Sequence, residues 1–175
     1  VRVIRFGLPT AEEAHIPPEV MRAAQMKKGI VLVMGSAGSG KSTTLACIIN
    51  EINRTRTGHI LTLEDPVEYI HRHDKCIVSQ REIGCDCPSY VAALRSALRE
   101  SPDVILLGEM RDKETMEVAM TAAETGQLLL SSLHTTGAAN TIDRIIDAFP
   151  PNQQAQIRLQ LSMVLQAVIS QQLVP

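Results

Sequence analysis

The chain of 175 residues is long enough for one domain with a full-sized core, and its 45% hydrophobic and 21% charged residues argue against disorder. The formal net charge is −2 and only 2% of the residues are aromatic, whereas single-stranded nucleic acid is usually bound by aromatic side chains in a basic groove. Nothing in the composition therefore favours nucleic acid as a substrate. No apolar run approaches the ~20 residues of a membrane span.

The first 18 residues are interpreted as a linker or arm, because they contain three prolines and a glycine. Pro17-Pro18-Glu19 then predicts the start of a short helix that runs to Met26, with Gly29 as its stop. Residues 19–175 are expected to form the domain proper. Since the sequence lacks an initial methionine and stops directly after an apolar helix, we expect both ends to be cut from a longer protein.

Four continuous aliphatic runs have the length of strands: Ile30–Met34, Ile60–Leu63, Val104–Leu107 and Gln127–Leu133. A weaker fifth candidate is Lys75–Ser79. Continuous rather than alternating apolar runs are typical of strands buried on both faces of a parallel sheet. Helical patterns separate the runs, at residues 41–53, 89–100, 112–124 and 138–147. The alternation predicts a doubly wound α/β domain with helices on both faces of the sheet.

The tail from Asn152 to Gln172 is predicted to be one amphipathic helix. Its apolar stripe contains Ile157, Leu161, Val164, Leu165 and Val168, with glutamines and an arginine toward the other side. We expect this helix to pack on its own domain, and a partner surface is the alternative.

Residues 35–42 match the phosphate-binding pattern G-x-x-x-x-G-K-S/T at every fixed position. The match lies between a predicted strand and a predicted helix, as the mechanism requires, which argues against a glycine-rich linker. The glycines let the backbone approach a phosphate, Lys41 would reach the β- and γ-phosphates, and the Ser42 hydroxyl would hold Mg²⁺. The predicted nucleotide-binding residues are Ser36, Ala37, Gly38, Ser39, Gly40, Lys41, Ser42 and Thr43. The sequence therefore predicts a nucleoside triphosphate site.

The other strand candidates also end in chemically capable residues, where parallel sheets bind their ligands. Glu109 follows the third run, at the place where P-loop enzymes hold Mg²⁺ directly or through water, although it could instead cap the next helix. Glu64, Asp65 and Glu68 follow the second run. Hydrolysis needs a carboxylate to orient and deprotonate the attacking water, and Glu68 is our first choice as this base, with Glu64 second.

His134 follows the fourth run, where it could donate to a γ-phosphate and report its presence; a histidine bonded to backbone is the alternative. The histidines His59, His71 and His73 have no such setting and are expected at the surface. The four cysteines lack a second pair at zinc spacing and are expected to be reduced thiols. Reduced thiols, together with ATP chemistry, favour a location in the cytoplasm.

Together the four segments resemble the motor ATPases of type IV pilus and type II secretion systems. The likeness lies in residues 35–45 (Walker A), Ile60–Tyr69 (Asp box), Asp103–Asp112 (Walker B with glutamate after glycine) and Leu130–Thr136 (His box). Within that superfamily the chain is most similar to the retraction (PilT-type) ATPases behind twitching motility. That likeness is carried by residues 76–82, 93–100, 141–150 and 166–173.

The resemblance implies a Mg²⁺-dependent ATPase with a RecA-like P-loop core. Family members form hexameric rings in which a PAS-like N-terminal domain supplies arginines to a neighbour's nucleotide. By resemblance, this chain is the ATPase domain alone. The resemblance also implies a partner, an inner-membrane pilus platform protein, and hence a cytoplasmic protein at the inner membrane. Gly84–Pro88, with its two cysteines, departs from the family pattern.

Other functions of a P-loop are less well supported. A small-molecule kinase needs an arginine-rich lid, a GTP-dependent switch needs an N/T-K-x-D segment, and neither occurs. Charge and aromatic content disfavour a nucleic-acid motor. The sequence does not decide among pilus retraction, pilus extension and type II secretion. Arg95, Arg99 and Arg111 are the candidates for ring contacts, although Arg95 and Arg99 also suit a solvated helix face.

Overall fold

The structure, a computed structural model, describes residues 7–135 and 137–173. Part of the predicted arm and Thr136 of the predicted His box lie outside these residues. The chain forms α1 (Pro18–Met21), a 3-10 turn (Arg22–Gln25), β1 (Gly29–Met34), α2 (Lys41–Thr55), β2 (Gly58–Glu64), β3 (Cys76–Glu82), α3 (Tyr90–Ala97), β4 (Val104–Glu109), α4 (Lys113–Glu124), β5 (Leu128–Leu133), α5 (Ala138–Asp147), α6 (Pro151–Val164) and β6 (Leu165–Ser170).

The strands form one parallel sheet in the order β3-β2-β4-β5-β1-β6. Successive side chains of β1 enter two different cores, because strand residues alternate between faces. Ile30, Leu32 and Met34 pack with α3 to α6, whereas Val31 and Val33 pack with α2 and the 3-10 turn. Both faces are therefore covered by helices, and the predicted doubly wound α/β fold is confirmed.

The predicted elements differ from the structure mainly at their ends. The weak fifth candidate is a strand, β3, and it extends to Glu82. The helix expected over residues 89–100 is shorter, from Tyr90 to Ala97, and begins at the cap that Ser89 Oγ provides by accepting from the backbone N–H of Ala92. The short N-terminal helix becomes a 3-10 turn after Met21.

The prediction of one continuous helix over 152–172 is wrong in its second half. Helix α6 ends at Val164, and β6 pairs in parallel with β1 at the edge of the sheet. Here β6 supplies backbone partners to an edge of β1 that would otherwise be open. A register shift beside Gln166 then lets Leu165 and Val168 reach one core while Ala167 and Ile169 reach the other.

His71 is buried, so its expected place at the surface is wrong. Only 7% of its surface is exposed, and its backbone N–H donates to Oε1 of Gln80 at 2.8 Å. His59 is half-buried, with Nε2 3.0 Å from the hydroxyl of Ser79, whereas His73 is exposed as expected. The segment between β2 and β3 therefore turns inward at His71, while the residues on either side of it, Ile70 and Arg72, are exposed.

We predict that acidification destabilises the fold through His71. Burial lowers the pKa of His71 to about 4, whereas an unfolded histidine titrates near 6.5. The unfolded state therefore binds a proton at His71 at a higher pH than the folded state does. The free energy of unfolding falls as the pH is lowered from about 6.5 towards 4, by about 3 kcal/mol at most. Urea unfolding at neutral pH and about two pH units below the unfolded pKa would measure the loss.

His71→Leu should lose less stability than the wild type over the same pH interval. His15→Gln, which removes an exposed imidazole, is the matched control. An unchanged pH dependence in His71→Leu would contradict this role for His71.

Candidate functional site

A cavity of about 480 Å³ lies beyond the carboxyl ends of β1, β2, β4 and β5. It is lined by all four residues predicted to act in catalysis: Glu64, Glu68, Glu109 and His134. Of the residues predicted to bind a nucleotide, Ala37, Gly38, Gly40, Lys41, Ser42 and Thr43 also line it. Ser39 is instead buried and Ser36 is exposed, and neither residue lines the cavity.

The glycine-rich loop (residues 35–40) joins β1 to α2 and forms one wall of the cavity. Gly38 and Gly40 have φ angles of 77° and 89°, a region that favours glycine. No side chain caps the start of α2, in contrast to α3 and α4, which Ser89 and Asp112 cap. The first three residues of α2, Lys41 to Thr43, line the cavity, so the positive end of the helix dipole lies beside it, an arrangement that suits an anion.

Lys41 crosses from α2 to the strand ends. Its Nζ donates to the carbonyl oxygens of Gly35 and Ser36 at 2.9 and 2.8 Å. It also lies 3.4 Å from Nδ1 of His134. Burial lowers the pKa of Lys41, while the carboxylates of Glu109 and Glu68 act in the opposite direction. The ammonium thus lies at the centre of the site, close to acids on two other segments.

Glu109 leaves β4 at a register shift around Gly108, where β4 pairs Leu107 with Ser131 and Glu109 with Ser132. Its Oε2 accepts from Nε of Arg111 at 2.7 Å and lies 3.7 Å from Nε2 of His134. Since an ammonium only donates, Lys41 requires Nδ1 of His134 to accept and leaves the ring proton on Nε2, toward Glu109. His134 therefore bridges Lys41 and Glu109.

The acidic loop (residues 64–71) forms another wall of the cavity. The carboxylate of Glu64 accepts from Nε2 of Gln80 at 3.4 Å and from the backbone N–H of Glu68. Burial raises the pKa of Glu64. The carboxylate of Glu68 is close enough to Lys41 to act on its charge. Both glutamates are half-buried and line the cavity, but Glu64 is held by hydrogen bonds at the end of β2, whereas the carboxylate of Glu68 acts on the charge of Lys41.

Several residues of the site were not predicted from the sequence. The hydroxyl of Tyr69 lies 2.9 Å from Oγ1 of Thr43, and Tyr90 lines the cavity, where burial raises its pKa to about 12. Oε1 of Gln171 accepts from Oγ1 of Thr44 at 2.8 Å, behind the glycine-rich loop. Gln171 directly follows β6, so the rule that functional residues follow strands would have found it, had β6 been predicted.

The donor atoms of the cavity fit magnesium better than a transition metal. Within the described residues, no group of three or more His, Cys, Asp or Glu side chains is arranged to hold a metal alone. Mg²⁺ typically takes one or two carboxylates and completes its shell with water and phosphate oxygens. The hydroxyl of Ser42 and the carboxylate of Glu109, which share the cavity, supply such oxygen donors.

The four cysteines lie apart from this chemistry. All are free; Cys47 and Cys76 are buried, and Cys85 is exposed. The Cys85 thiol donates to Oε1 of Glu82, which raises its pKa and disfavours the reactive thiolate.

Comparison with known families matches residues 10–175 to the family described as "Type II/IV secretion system protein". The chain belongs to this family. One curated family member, the "Type IV pilus retractation ATPase PilT" of Pseudomonas aeruginosa, is 51% identical over 173 residues, which are 99% of this chain and 50% of that protein. A "Twitching motility protein" of Neisseria gonorrhoeae is 52% identical over 172 residues, 98% of this chain and 46% of that protein.

Among solved structures, the "Crystal Structure of the Pilus Retraction Motor PilT and Bound ADP" superposes with a TM-score of 0.96 at 52% identity. The match covers 99% of this chain and 51% of that one. The chain thus spans about half the length of the relatives it matches in the secretion system family. Across the part of the chain that the structure describes, no helix is both long and apolar enough to cross a membrane.

We predict that Gly35→Ala destabilises the fold more than a glycine replacement in an open turn. A Cβ at Gly35 would overlap the carbonyl oxygen of Gln171 and lie 2.6 Å from Oγ of Ser39, in addition to the strain of a φ of 153°. Gly84→Ala is the matched control, since its φ is 88° but nothing lies within 4 Å of the added atom.

In urea unfolding, Gly84→Ala should cost about 1–2 kcal/mol from backbone strain alone. Gly35→Ala should cost clearly more, because backbone atoms cannot move aside as a side chain can. Equal losses in the two variants would contradict the close approach of Gln171.

Proposed function

We propose that this chain is the ATP-hydrolysing motor domain of a type IV pilus retraction ATPase, acting in twitching motility. The observation that carries the proposal is the convergence of four segments on one cavity: an uncapped helix with its glycine-rich loop, the acidic loop, Glu109 and His134. The names of the relatives described above supply the link to the pilus. A pilus-extension or type II secretion ATPase of the same family is the alternative, because it would use the same site.

In this proposal the β- and γ-phosphates of ATP bind to the residues from Ser36 to Thr43. The loop N–H groups and the start of α2 attract the anion, and Lys41 adds a full charge. The present partners of Lys41 Nζ in the glycine-rich loop are neutral carbonyl oxygens, which a phosphate can replace. Ser42 and Glu109, directly or through water, would hold Mg²⁺, which when bound neutralises charge on the β- and γ-phosphates.

Hydrolysis then needs a water molecule in line with the bond between the γ-phosphorus and the β-γ bridging oxygen. The water oxygen attacks phosphorus, that bond breaks, and a carboxylate takes the proton. We assign this base to Glu68, which lines the cavity and acts on the charge of Lys41, and keep Glu64 as the second choice, since its raised pKa also suits a proton acceptor. His134 would donate to the γ-phosphate and so distinguish ATP from ADP.

The remaining parts of the proposal concern the longer protein. We infer that residues 1–18 are a linker, that residues 19–175 are the RecA-like ATPase domain, and that a PAS-like domain precedes them. We infer a homohexameric ring that works in the cytoplasm against an inner-membrane pilus platform protein. Arg95, Arg99 and Arg111 are the candidate ring contacts, and Arg111 has 69% of its side chain exposed while it pairs with Glu109.

Lys41→Ala should abolish ATP hydrolysis and strongly weaken ATP binding, because it removes the charge that faces the β- and γ-phosphates. Purified protein would be tested for binding of a fluorescent ATP analogue and for phosphate release. In cells that lack the retraction ATPase, the full-length protein should restore twitching, and its Lys41→Ala form should not.

Robust turnover by Lys41→Ala would overturn the assignment of the ATP site. Restored pilus assembly in cells that lack the extension ATPase, or restored protein secretion in cells that lack the type II secretion ATPase, would favour one of the two alternatives if twitching is not restored.

Glu68→Gln should still bind ATP while slowing hydrolysis by about 10²-fold or more, because an amide cannot take the proton from the attacking water. Single-turnover hydrolysis with excess protein, next to ATP binding, separates the two effects. Glu64→Gln should have the smaller effect on the rate. Glu117→Gln, at an exposed position on α4, controls for the loss of a carboxylate. Normal turnover in Glu68→Gln with slow turnover in Glu64→Gln would exchange the two roles.

A further inference from the structure

The acidic loop carries both candidate bases but contains no helix, and its segment after Glu64 is not part of a strand. Glu64 is placed by its pairing with Glu82 in the sheet, whereas Glu68 lies beyond the strand and depends more on side-chain contacts for its position. A displacement of about 1 Å at a reacting group is enough to lower a rate by about 10²-fold. The residues that hold this loop are thus as relevant to the reaction as the glutamates themselves.

Gln80, on the neighbouring strand β3, directs its whole amide group at the acidic loop. Its Nε2 donates to the carbonyl oxygen of Tyr69 at 2.9 Å and to Oε1 of Glu64 at 3.4 Å. Its Oε1 accepts from the backbone N–H of His71 at 2.8 Å. One side chain therefore connects the start of the loop, at Glu64, to its end, at Tyr69 and His71.

Two further contacts lie on either side of Glu68. Two residues along β3 from Gln80, and hence on the same face of the strand, Oε2 of Glu82 accepts from the backbone N–H of Val67 at 2.9 Å. The hydroxyl of Tyr69 lies 2.9 Å from Oγ1 of Thr43, on the first turn of α2. Residues 67 and 69 are thus each fixed to a different element, and Glu68 lies between them.

We propose that Gln80 is a positioning residue for ATP hydrolysis, which holds the acidic loop closed so that Glu68 faces the phosphates. The inference rests on the proposed function. Gln80 does not line the cavity, so it acts through the loop and not on the nucleotide. It does not hold the glycine-rich loop, so ATP binding depends on it much less than the chemical step does.

Gln80→Met tests this role, because methionine has nearly the same length and keeps none of the three hydrogen bonds. Single-turnover hydrolysis should slow by about 10–10²-fold, while the dissociation constant for the fluorescent ATP analogue changes by less than about threefold. Ser79→Ala is the matched control. It removes a hydrogen bond to His59 from the adjacent position on β3, which faces the other side of the sheet, and its rate should match the wild type.

A double-mutant cycle with Glu68→Gln separates positioning of the base from a general weakening of the fold. In the Glu68→Gln background, Gln80→Met should add less than about threefold, because the base that it positions is already absent. Rate losses that multiply in full, or a normal rate in Gln80→Met, would overturn the inference.

Gln80→Glu guards against a failure of Gln80→Met to fold. This variant keeps an acceptor for the backbone N–H of His71 and loses both donated hydrogen bonds, so it should also slow hydrolysis while ATP binding stays nearly unchanged. A normal rate in Gln80→Glu would also overturn the inference. Full-length wild-type protein, which includes the N-terminal domain that the proposal expects, would instead overturn the proposed function together with this inference if it bound but never hydrolysed ATP.

Discussion

Burial of the parallel sheet on both faces is the constraint on which the rest of the structure depends. The central strands have room for few polar side chains along their length, as the fully buried and wholly apolar run of β1 shows. Because all strands are parallel, their carboxyl ends meet at one edge, and polar residues that leave the strands there collect in one place. The cavity is therefore a direct result of the strand pattern.

The electrostatics of the cavity follow from that collection. Lys41 lies among carboxylates from two segments, Glu68 and Glu109, and burial opposes its charge while they favour it. The His134 ring lies between Lys41 and Glu109, with Nδ1 3.4 Å from Nζ of the lysine and Nε2 3.7 Å from Oε2 of the glutamate. A phosphate that replaces the carbonyl partners of Lys41 would change the electrostatic interactions of all of these groups. One binding event could therefore affect several segments of the chain.

Much of this arrangement could be predicted from the sequence, because aliphatic runs define the buried strands and the residues after them define the cavity. Glu64, Glu68, Glu109 and His134 lie where that pattern places them, and their chemical roles stay predictions. Strand β6 could not be predicted, since the apolar spacing from Leu161 to Val168 fits a helix equally well. Only the open edge of β1 decides between the two, and that edge is a tertiary feature.

The contacts of side chains across the sheet were missed for a related reason. Gln80 is one polar residue near the end of an edge strand, and nothing local distinguishes it from Ser79, which bonds to His59 instead. Its role comes from the register, which sets Gln80 beside Thr62 and so within reach of the loop that follows Glu64. Since Tyr69 joins this loop to Thr43, α2 and the acidic loop are connected through side chains as well as through the sheet. A shift at the start of α2 would therefore be felt at Glu68, which directly precedes Tyr69 in the chain.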